Sequence, residues 1–125
     1  MNNPRLLELR PILWTAEIQE TIDFYTGILG FECSERNDDW GWASLQRDRV
    51  EIMIAKPNAH TPFDRPNFTG SFYIRTDDVD GLWEKIRMRV RIVYEPENFD
   101  WGMREFGIYD NNGYLLQFGK DVSEN

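Results

Sequence analysis

Cysteine and histidine are almost absent: the chain holds one of each, Cys33 and His60. A single cysteine excludes an internal disulfide, and with it the stapled build of small secreted domains, so a reducing cytosol is the expected compartment. The only histidine stands in a segment that reads as flexible, so no His–Ser or His–Cys partnership for nucleophilic catalysis is expected. His60 stands in a proline-rich stretch, where it reads as a solvent residue. Cys33 reads as a small buried apolar residue on a strand. Positive charge is also scarce, with 14 Lys and Arg against 22 Asp and Glu, net −8. That balance repels nucleic acid and favours cationic partners, although acidity also serves solubility alone. No run approaches the ~18 apolar residues of a membrane span. Met1 to Arg10 shows no apolar signal-peptide core. The expectation is a soluble, cytoplasmic protein with neither nucleic-acid nor membrane partner.

What is plentiful is aromatic: 5 Trp, 5 Tyr and 8 Phe in 125 residues. Most belong in a core, and those flanked by polar residues are candidates for a stacking site. The pattern along the chain is α+β. Leu6 to Trp14 reads as a strand, bent or at an edge because of Pro11. Thr15 is the expected N-cap of a helix carrying Ile18, Ile22, Tyr25 and Leu29 at helical spacing up to Gly30. Three strand-like runs follow, Phe31 to Arg36, Trp40 to Gln46 and Val50 to Ala55. Lys56 to Asn67 holds three prolines and reads as a linker. Ser71 to Thr76 is then a strand, and Asp77 or Asp78 caps a helix with Val79, Leu82, Trp83 and Ile86. Arg91 to Tyr94, Arg104 to Tyr109 and Tyr114 to Gly119 are strands. A polar loop from Pro96 to Asp100 and an Asp110-Asn111-Asn112-Gly113 turn separate them.

A shift of 61 positions lays Thr15 on Thr76, Glu17 on Asp78, Ile18 on Val79 and Ile22 on Trp83. The chain is thus two copies of strand–helix–strand–strand–strand, which restricts the fold more than any single residue does.

Three stretches carry a family resemblance: Thr21-Ile22-Asp23-Phe24-Tyr25-Thr26-Gly27-Ile28-Leu29-Gly30-Phe31, Thr76-Asp77-Asp78-Val79-Asp80-Gly81-Leu82, and Trp101-Gly102-Met103-Arg104-Glu105-Phe106 with Asp110-Asn111-Asn112-Gly113-Tyr114-Leu115-Leu116-Gln117-Phe118. They resemble the vicinal-oxygen-chelate superfamily, and most closely its bleomycin-resistance proteins. The resemblance implies one domain over 1–125 with two βαβββ modules (about 5–56 and 69–120) joined by a linker (about 57–68), each module curving into a half-barrel cup. It also implies a homodimer, with the segment before Pro11 as an arm to exchange.

In the superfamily's metal enzymes, four ligands line the cup. Carried onto this chain, those positions are Arg10, Glu51, Ser71 and Gln117. Arg10 is a permanent donor and cannot ligate, Ser71 is a poor ligand, and Gln117 offers a neutral carbonyl. The reading is therefore no metal, no cofactor and no catalytic residue. Glu51 is either an acid–base group with a raised pKa or half of an ion pair with Arg10.

Alternation puts Trp40, Trp42 and Ser44 on one face of a strand, as a flat aromatic surface or as core. With Asp39, Glu51 and Trp101, these tryptophans form the expected ligand site, suited to a planar cation. Asp38, Asp100 and Glu105 stand nearby, and Arg104 and Glu105 are expected to hold their strand by local pairing. The resemblance implies sequestration of a cationic aromatic or glycopeptide antibiotic in a cleft between subunits. A glyoxalase-like lyase, isomerase or dioxygenase is one alternative, and a ligand-sensing or structural dimer the other.

Overall fold

The alternation of apolar residues in the two halves builds two sheets of like topology. A computed structural model describes residues 3–57 and 62–123, and His60 lies outside the described residues. In the first half, β1 (Ile12–Trp14) leads into α1 (Ile18–Asp23), continued by a π-helical turn, Phe24–Ile28. Strands β2 (Glu32–Asn37), β3 (Trp42–Arg47) and β4 (Val50–Ala55) complete a sheet of order β1-β4-β3-β2. The second half repeats this with β5 (Phe72–Arg75), α2 (Val79–Ile86), β6 (Arg91–Asn98), β7 (Met103–Tyr109) and β8 (Leu115–Asp121), in the order β5-β8-β7-β6. In each sheet the first strand runs parallel to the last and the other pairs are antiparallel. The architecture is α+β, two βαβββ modules.

One face of each sheet meets its helix. Ala43, Leu45, Ile52 and Ile54 are buried with Ile18, Ile22 and Tyr25 in the first module. Phe106, Ile108, Leu116 and Phe118 are buried with Val79, Trp83 and Ile86 in the second. Each such side chain adds roughly 1.5–3 kcal/mol of burial. Helix α2 presents Val79, Trp83 and Ile86 on one stripe, and the Asp78 carboxylate caps it by accepting the Gly81 N–H at 2.9 Å. No described helix is long and apolar enough to cross a membrane.

The Asp110 to Gly113 turn joins the modules. Its aspartate, 1% exposed, accepts the Tyr25 hydroxyl at 2.7 Å and the backbone N–H groups of Asn112, Gly113 and Tyr114. Asn111 and Asn112 donate to Thr21 Oγ1, and the Tyr114 hydroxyl bonds both backbone groups of Trp14. Burial raises the Asp110 carboxyl and, to a larger degree, the Tyr25 phenol.

Several expectations require correction. The first strand begins at Ile12, because Pro11 has no N–H to offer; its carbonyl accepts from Met53, and Leu6, Leu7 and Leu9 before it are exposed. Thr15 does not cap α1. Glu17 occupies the cap position, while Thr15 Oγ1 accepts the Glu17 N–H and bonds Thr21. The loop expected from Pro96 is largely strand, since β6 runs on to Asn98 at a sheet edge, where a proline costs no ladder bond. Cys33 is exposed, on an edge strand whose register shifts beside it.

Candidate binding site

The faces turned away from the helices carry the polar side chains, Ser44 and Glu51 in the first module and Glu105 and Gln117 in the second. In the second module the register sets Tyr73, Gln117, Gly107 and Tyr94 in one row across the sheet, with Glu105 opposite Gly119 in the next. Glycine is required at both small positions. A Cβ at Gly119 would collide with the Tyr73 hydroxyl, and one at Gly107 with the Tyr94 ring. The two phenols therefore lie flat across the sheet and converge on Glu105.

Glu105 is 3% exposed and accepts four hydrogen bonds. Oε1 takes the Tyr73 hydroxyl at 3.1 Å and the Trp101 indole N–H at 3.0 Å. Oε2 takes a short bond from the Tyr94 hydroxyl and a long one, 3.4 Å, from Gln117 Nε2. Gln117 also donates to the Tyr94 oxygen at 2.8 Å and accepts from Ser71, so the amide orientation follows from the network. Burial first, and then the bond to Glu105, push the Tyr73 phenol up to about 12 and raise that of Tyr94 as well. Both hydroxyls stay protonated donors at neutral pH. All four donors are neutral.

Above this carboxylate opens a cavity of about 790 Å³ lined by Tyr94, Phe99, Trp101, Glu105, Gln117 and the β6 edge, including Glu95 and Glu97. No Lys or Arg lines it. Trp101 stacks on Phe99 with centroids 4.6 Å apart and planes at 8°, and Tyr94 meets Phe99 edge-on at 5.6 Å. Trp101 remains 64% exposed. Negative charge held by neutral donors, beside the open face of an indole, is the environment that attracts a flat cation.

The residues singled out from the sequence are divided between the modules. Trp101 lines the cavity. Trp42 and Glu51 lie on the polar face of the first sheet, where Ser44 donates to Glu51 at 2.6 Å and Arg10 stands 3.3 Å from it. Trp40 is not on that strand. It sits in the turn before β3 with Asp39, its N–H held by Asn37, and is 75% exposed. Within one chain none of Asp39, Trp40, Trp42 or Glu51 lines the Trp101 cavity. Arg104 pairs across the fold, with Asp80 of α2 at 2.8 Å, and not locally, while Glu105 turns to the opposite face and into the cup. Tyr73, Tyr94 and Phe99 went unrecognised because they reach Glu105 only through tertiary pairing, and Glu105 itself was assigned to local pairing.

The family model described as Glyoxalase/Bleomycin resistance protein/Dioxygenase superfamily matches residues 7–118. The chain belongs to this superfamily. No curated protein matches the sequence. Among solved structures, a bleomycin resistance determinant encoded on the transposon Tn5 is similar at 23% identity and TM-score 0.76, covering 93% of this chain and 98% of that one. The bleomycin-binding protein of bleomycin-producing Streptomyces verticillus, complexed with copper(II)-bleomycin, gives 22% and 0.71, over 93% and 97%. A glyoxalase/bleomycin resistance protein/dioxygenase from Nocardioides gives 16% and 0.79, over 99% and 89%. At these identities the likeness shows the fold.

The four positions that the sequence resemblance set against metal ligands are engaged with one another. Arg10 pairs with Glu51, and Ser71 bonds Gln117. A guanidinium, a hydroxyl and a neutral amide do not fit a divalent metal. Glu51, bonded to Ser44 and paired with Arg10, is arranged as a satisfied ion pair.

Proposed function

We propose that this superfamily member is a binding protein that sequesters a cationic, aromatic small molecule without metal chemistry. Trp101 and Glu105 receive the ligand in the second-module cup. The observation that carries the reading is the buried Glu105 carboxylate, held by four neutral donors, at the floor of an aromatic cavity. The bleomycin-binding and bleomycin-resistance structures of the same fold support it. The protein is proposed to act in the cytosol as a homodimer. Trp40, Trp42, Asp39 and Glu51 of one subunit would then complete the cleft over the other subunit's cup. Each indole–cation contact contributes roughly 0.5–2 kcal/mol beyond the apolar area that the ligand buries.

Tryptophan fluorescence titration with bleomycin tests the proposal. Saturable quenching is expected, weakened at least about tenfold by Trp101→Ala and weakened again as salt rises. Absence of quenching by bleomycin and by every cationic aromatic tried would sink it, as would quenching indifferent to Trp101→Ala.

A further inference from the structure

We propose that the second-module cup selects cations whose charged centre carries no hydrogen-bond donor, such as quaternary ammonium or N-alkylpyridinium groups, over protonated amines and guanidinium groups. The inference rests on the reading of this cup as a cation site. A carboxylate offers about four acceptor positions. The protein occupies two on each Glu105 oxygen: Tyr73 and Trp101 on Oε1, Tyr94 and Gln117 on Oε2. Its charge is present, but its lone pairs are taken.

A primary ammonium entering the cup must displace one of these donors or leave its own N–H groups without an acceptor. Either alternative costs a hydrogen bond at Glu105. Displacement is resisted because the donors hold one another. Gln117 is anchored by Ser71 and Tyr94, and the Trp101 ring rests on Phe99. A quaternary centre has no N–H to satisfy and sheds its water readily. It takes its attraction from the charge beneath and from the aromatic rings of the lining, Trp101, Phe99 and Tyr94. Glu95 and Glu97 also line the cavity, but on the exposed edge strand, where hydrated carboxylates attract either kind of cation alike.

Benzyltrimethylammonium and benzylammonium share ring and charge and differ in N–H donors, so calorimetric titration of the full chain with each isolates the effect. The quaternary probe is expected to bind at least about tenfold tighter, the fold-change of one unmade hydrogen bond. Tyr73→Phe vacates one acceptor position on Glu105, at a residue 42% exposed and so tolerant of change. It should narrow the ratio by strengthening benzylammonium. Glu105→Gln should weaken both probes. Equal affinities, tighter benzylammonium, or a ratio unmoved by Tyr73→Phe overturn the selectivity and leave the cation site standing. Inert probes with intact bleomycin quenching also overturn the selectivity alone. Inert probes together with absent bleomycin quenching overturn both.

Discussion

Glu105 shows how neutral donors keep a charge in a fold. Four neutral donors replace its water, and two of them reach it only because glycine stands at 107 and 119. The glycines shape the site as much as the tyrosines do. Gly119→Ala is expected to expel the Tyr73 ring, which is exposed enough to swing out, while the backbone ladder remains. Tyr73 should then titrate nearer its ordinary 10 than the 12 or so it has when buried against Glu105. Spectra of ring-labelled tyrosine across alkaline pH can follow this. An unchanged Tyr73 titration would mean that the ring is not held where Gly119 leaves room for it.

At the scale of elements, what was legible in the sequence is what local periodicity reports. Ile18 and Ile22, then Val79, Trp83 and Ile86, carry the helices. Val50 to Ala55 alternates as a strand and is one. Illegible were features decided by neighbours: β6 running through Pro96 because it is an edge, and β1 starting only beyond Pro11. The Glu105 cluster had one local trace, Glu105 and Gly107 alternating on a strand. Trp101 is four residues away in sequence, but Tyr94, Gln117 and Tyr73 come from other strands. The Asp110 turn was recognised as a turn, but not as the joint between modules.

That joint has a measurable signature. Tyr25→Phe removes a donor from a buried carboxyl and should cost about 1–3 kcal/mol. Because burial raises the Asp110 pKa above 3.8, folding takes up a proton there. Its stabilising contribution is complete below the unfolded pKa and is lost as pH rises through the folded one. The stability difference between the native chain and Asp110→Asn should therefore shrink from about pH 3 to about pH 7. Denaturant titrations at both ends check the sign, and a difference that grows with pH would contradict it.

For the whole molecule, the net charge of −8 and the uncovered sheet faces point the same way, toward a cationic ligand and a second subunit. Leu6, Leu7 and Leu9 stand largely exposed ahead of β1, three apolar side chains that no described residue buries. Light scattering at micromolar concentration should find particles of twice the 14.9 kDa chain mass. Particles of the single-chain mass alone would leave the cup open and remove Trp40 and Trp42 from it.

The most direct measurement is the indole region of an amide-correlation spectrum, in which each of the 5 tryptophans can report separately. The Trp101 N–H is tied to Glu105 at the cavity floor, so it senses occupancy directly. On titration with bleomycin the Trp101 signal should move furthest and saturate, and Glu105→Gln should abolish that shift. If ligand binds while the Trp101 signal stays still, or if the shift survives Glu105→Gln, the second-module cup is not the binding site.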